Sequence, residues 1–123
     1  PAYGGISRLR SIAFTHDELI LVMISLVRAT HPSMLKQEVD GFSVDFELLD
    51  HKKVLDDDER LLFKVRATLD SPVEEPSRTL SLDDGESRRM LAALSQLQRL
   101  QAWPEDVLDM CRSLRARLAI PPG

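Results

Sequence analysis

With 123 residues, 43% hydrophobic and 29% charged, the chain has material for one domain and is too apolar for wholesale disorder. Aromatics are only 5%, so the core is aliphatic and a base- or sugar-stacking platform has little to be built from. The net charge of −4 gathers in the middle: residues 31–76 hold six basic against twelve acidic side chains, which disfavours DNA binding through the whole surface.

Residues 1–10, with Gly4 and Gly5, read as a loose lead-in to a short strand at 11–14. Thr15 then has the position of a helix N-cap, and Glu18 completes a capping box. Phe14 and Leu19 flank the cap as a hydrophobic staple. The helix expected over 19–28 is apolar on every side, with eight of nine residues from Leu19 to Val27 hydrophobic. The β-branched Ile20, Val22 and Ile24 also suit a strand, and the capping box decides for a helix. His31-Pro32 stops it, because a residue before proline leaves the helical region. The run does not resemble a signal peptide and is too short to cross a bilayer. The expectation is a cytoplasmic protein without membrane contact.

Ser33 is placed to cap one further turn through Glu38, ended by Gly41. Residues 42–49 alternate, with Phe42, Val44, Phe46 and Leu48 on one side, and predict a strand. Residues 61–69 alternate as well, with Leu61, Phe63, Val65, Ala67 and Leu69 inward. Acids on the first and bases on the second suggest an antiparallel hairpin with cross-strand charge pairs, joined by a long tip at 50–60. A proline loop at 71–77 leads to a strand at 78–82. Asp83 with Glu86 forms a second capping box, opening a helix to about residue 102. Pro104 suits the first position of a last helix, whose apolar stripe is Val107, Met110, Cys111, Leu114 and Leu118. The ends, about 1–6 and 119–123, are expected to be flexible.

The pattern is one α+β domain over 1–123, in the order strand, helix, three strands, two helices. It has a small, mostly antiparallel sheet with helices on one face. One echo stands out: residues 12–18 and 80–86 share the order apolar, small, apolar, cap, two residues, Glu. Any well-made strand-to-helix junction obeys the same physics, so this does not by itself establish a duplication.

Chemical motifs are scarce. Gly4-Gly5 lacks the Lys-Ser/Thr of a phosphate loop, and Ser7 lacks the order of a nucleophile elbow. Cys111, the lone cysteine, lies in an apolar helical stripe and reads as a packed small hydrophobe. His16, His31 and His51 have no metal-site spacing, so neither metal nor cofactor is expected. The acidic run at 56–59 reads as a solvated tip. Arg112 and Arg115 share a helix face and are candidates for oxyanions or an acidic partner, with nearby acids ready to pair them instead. The strongest feature is the first helix: whatever its own chain leaves uncovered must be covered by a partner. Leu19, Ile20, Met23 and Val27 are its candidate interaction residues. The expected function is a non-catalytic interaction or regulatory module, homodimeric through this helix. The alternatives are a nucleic-acid-associated regulator using Arg112 and Arg115, and a ligand-binding domain or enzyme with a pocket bordered by 31–41 and 50–60.

Overall fold

The computed structural model describes residues 9–39, 41–71, 77–100 and 103–119. The ends expected to be flexible lie outside these residues apart from Ala119, as do residues 72–76 of the proline loop and Ala102 at the expected helix end. The elements are β1 (Arg10–Thr15), α1 (His16–Thr30), a 3-10 turn (Pro32–Met34), β2 (Leu35–Glu38), β3 (Gly41–Val44), α2 (Glu47–Asp50), α3 (Asp57–Asp70), β4 (Ser77–Leu82), α4 (Asp84–Leu100) and α5 (Glu105–Leu118). The α+β class holds. Instead of one sheet there are two antiparallel ribbons, β1–β4 and β2–β3. No helix among the described residues is long and apolar enough to cross a membrane.

The first junction forms as the sequence dictates. The Glu18 amide donates to Thr15 Oγ1 at 3.2 Å and the Thr15 amide donates to Glu18 Oε1 at 2.8 Å. Phe14 and Leu19 are fully buried, as a staple requires. β1 and β4 pair with Ile12 opposite Leu80. Ile12, Phe14, Leu80 and Leu82 face the core, while Ser11, Ala13, Thr15, Ser77, Thr79 and Ser81 face solvent.

That register brings the two echoing segments together around an approximate twofold axis at the Ile12–Leu80 pair. With Ile12 matched to Leu80, Arg10 matches Arg78, Thr15 matches Asp83 and Glu18 matches Glu86. The matched residues do matched things. The Glu86 amide donates to Asp83 Oδ1 at 2.7 Å and the Asp83 amide to Glu86 Oε1 at 3.0 Å. Arg10 donates to the carbonyls of Leu118 and Ala119, both at 2.9 Å, at the end of α5. Arg78 donates to the carbonyls of Thr68 and Leu69, both at 2.7 Å, at the end of α3. Glu18 is gripped by Arg117 of α5, and Glu86 by Lys64 of α3 at 3.1 Å. α1 packs on α3 as α4 packs on α5, and α1 and α4 pack on each other. The chain is thus two strand–helix–helix halves, with β2, β3 and α2 inserted into the first.

Six expectations are corrected. Residues 61–69 are helix α3, not a strand. Their alternation coincides with the helical file Leu61, Leu62, Val65, and it is a cap that decides. The acidic run is that cap: Asp56 Oδ1 accepts from the Glu59 amide at 2.8 Å, and Glu59 Oε1 from the Asp56 amide at 2.9 Å. It is therefore a third capping box rather than a solvated tip. Glu59 is fully buried, and Lys52 Nζ reaches both its oxygens at 2.7 and 2.8 Å. Residues 42–49 divide into β3 and the single turn α2, because Asp45 accepts from the Glu47 amide at 3.0 Å and turns the chain. The turn expected from Ser33 to Glu38 is instead the 3-10 turn plus β2, so the hairpin is β2–β3. Gly41 starts β3 at φ +144°, a conformation that L side chains rarely adopt. The expected charge pairs across 42–49 and 61–69 are absent; Arg66 pairs with Asp50 at 3.0 Å and lies 4.4 Å over the Phe46 ring. Finally, Pro104 is the N-cap of α5 rather than its first residue.

Candidate interaction surface

α1 is covered most completely on the side that meets α3, α4 and the ribbon. Leu19, Val22 and Val27 are fully buried and Leu26 nearly so. The opposite flank is only half covered. Ile20 and Ile24 are partly exposed, with Asp17 at one end of the flank and Arg28 at the other, while Met23 is partly exposed away from it, between Leu19 and Val27. Of the four sequence candidates on this helix, Ile20 and Met23 therefore reach the surface, while Leu19 and Val27 belong to the core.

α5 supplies the second wall. Trp103 precedes it, and its indole N–H donates to the Leu97 carbonyl at 2.9 Å, which fixes the ring. Trp103, Val107 and Met110 stand beside Ile20, Leu21 and Ile24 to form a groove of about 240 Å³, with Asp17 at its rim. Val107 and Met110 belong to the apolar stripe read from sequence. Trp103 and Ile24 were not singled out; the apolar neighbour following each helical turn from Ile20 was the available signal for Ile24.

The twofold-related position, between α4 and α3, is also a groove, of about 410 Å³ and wholly different lining. Gly85 and Arg89 stand there in the places of Asp17 and Leu21. Arg89 donates to Asp58 at 3.0 Å and Asp57 at 3.1 Å, and Arg60 also pairs with Asp57. The Arg60 guanidinium holds the Asp57 carboxyl below its ordinary value. Arg88 and Ala92, both exposed, replace Ile20 and Ile24. One groove is lined by ion pairs that tolerate water, and the other presents oil to it.

Elsewhere, the expected binding groups are engaged within the chain. Arg112 pairs with Asp109 at 3.0 Å and Glu105 at 3.7 Å, and Arg115 donates to Gln98 at 3.0 Å. Arg112 and Arg115 are exposed on α5 and do not line the apolar groove. His31 Nε2 sits 3.1 Å from buried Glu59, and His51 is exposed at the end of α2. The bond from Lys52, followed by the Asp56 amide, holds the Glu59 carboxyl below its ordinary value. Burial pushes Glu18 the other way, but Arg117 and the Thr15 amide outweigh it and leave that carboxyl lowered too. Cys111 is buried and burial pushes its thiol up, away from the reactive thiolate. Among the described residues, no three potential metal ligands cluster. No protein-family model, curated protein or solved structure matches the chain.

Proposed function

We propose that this chain is a non-catalytic protein-interaction module whose working surface is the apolar groove between α1 and α5, and that it self-associates there. One observation carries the reading. The two halves of the fold build the same groove twice, and only one is lined with hydrocarbon. An apolar groove with a polar rim takes the apolar face of a helix, and ring and thioether walls such as Trp103 and Met110 suit that use. Light scattering across a concentration series tests the reading. A dimer is expected at micromolar concentration, and Ile24→Glu is expected to give a monomer with an unchanged far-UV spectrum. A monomer at all concentrations overturns self-association.

A further inference from the structure

The open flank of α1 carries its own instruction for what lies across it. Asp17, Leu21, Ile24 and Arg28 follow one another at helical spacing along a single file, with Leu21 buried at the floor of the groove and Ile20 beside the file. The acid sits in the first turn and the base in the last. Among the described residues, neither Asp17 nor Arg28 takes part in an ion pair. Most other charged residues on the helices do. The two charges lie about 16 Å apart along the axis, at 1.5 Å per residue.

From this we infer that the groove's partner is a second copy of the chain, with the two α1 helices antiparallel and Asp17 of each facing Arg28 of the other. The inference rests on the self-association proposed above and names its geometry. A twofold axis midway between Val22 and Met23 sets Asp17 across from Arg28 and Leu21 across from Ile24. Both charge pairs and the apolar contact then close together, as an isologous interface requires. At the usual 8–10 Å between packed helices, an Arg and an Asp side chain span the gap. Antiparallel helices also oppose their dipoles favourably. A parallel arrangement sets Asp17 against Asp17 and Arg28 against Arg28, and like charges in an interface reject it. Ile20 and Ile24 of one copy then cover the mouth of the groove walled by Trp103, Val107 and Met110 of the other.

A charge swap tests the register. Sedimentation velocity over a concentration series is run on the unaltered protein, Asp17→Arg, Arg28→Asp, the double swap, and Ile24→Glu, each checked for fold by circular dichroism. Each single swap turns two attractive pairs into two repulsive ones, and the dimer dissociation constant is expected to rise about tenfold or more. The double swap rebuilds both pairs with their signs exchanged and is expected to return close to the original constant. A purely structural role for either residue gives no such recovery. If Ile24→Glu dissociates the dimer while the charge swaps leave it unchanged, or the double is weaker than both singles, the antiparallel register is overturned and the groove reading stands. If the unaltered protein is a monomer at every concentration, both fall.

Discussion

The halves β1–α1–α3 and β4–α4–α5 are built on one plan and finished for different surroundings. Both open with a strand arginine that grips the carboxyl end of a distant helix, and both begin their central helix with a capping box. The divergence lies on the flank of that helix that meets its groove: Ile20, buried Leu21 and Ile24 on α1 against Arg88, Arg89 and Ala92 on α4. Backbone plan and capping are shared because they are needed to fold. The flank is free to differ because it is not, and that is where a partner can be specified.

The largest test of the shared plan is in the core. Phe14 and Leu82 occupy matched positions and neither is exposed. Phe14→Ala is expected to cost about 3–5 kcal/mol and Leu82→Ala about 2–5 kcal/mol in denaturant unfolding. A loss confined to one of them means that the halves do not share one core.

The buried carboxylates come next. Glu18 and Glu59 both sit below their ordinary values in the folded chain, so each prefers its charged form there. Their contribution to stability is whole above the unfolded carboxylate range, at about pH 4.3, and is lost as pH falls through it and below. Melting temperature is therefore expected to hold from pH 7 to 5 and then drop. Glu18→Gln should melt lower at neutral pH and lose less on acidification; an unchanged acid slope rules out this source.

Caps give a smaller effect. Thr15→Ala and Asp83→Ala are each expected to cost about 1 kcal/mol. A several-fold difference between them would mean that the second junction is held by Lys64 on Glu86 more than by its cap. The smallest effect is expected from grafting the α1 flank onto α4. Arg88→Ile with Ala92→Ile should change stability by only about 0.5 kcal/mol or less, as exposed positions do. No new association is expected in light scattering, because Arg60, Arg89 and Asp57 still line that groove. Association of the graft would mean that a helix flank suffices without the α5 wall.

What could be read from the chain follows the same division. The α+β class, α1, α4, α5 and both echoing junctions were legible because caps and helical periodicity are local signals. Helix α3 was not, although Asp56 and Glu59 repeat the spacing of Thr15 and Glu18. A dense acidic run looks like a solvated loop, and the alternation from Leu61 to Leu69 fits either period. The pairing of β1 with β4 depends on contacts across most of the chain, which no local pattern encodes. Of the residues singled out on α1, Ile20 lines the candidate groove, whereas Leu19, Met23 and Val27 do not. Trp103 was not legible, because only the packing of α5 beside α1 brings it there.

Trp103 has a consequence of its own. It is the lone tryptophan, half-buried in the groove wall and pinned through its indole nitrogen to Leu97. All indole emission from this chain therefore originates at one spot on its surface. Whatever settles against that spot strips water from a ring that cannot swing away, and the emission moves to the blue. The molecule carries a native optical gauge, readable without label or mutation, of whether that spot is vacant or filled.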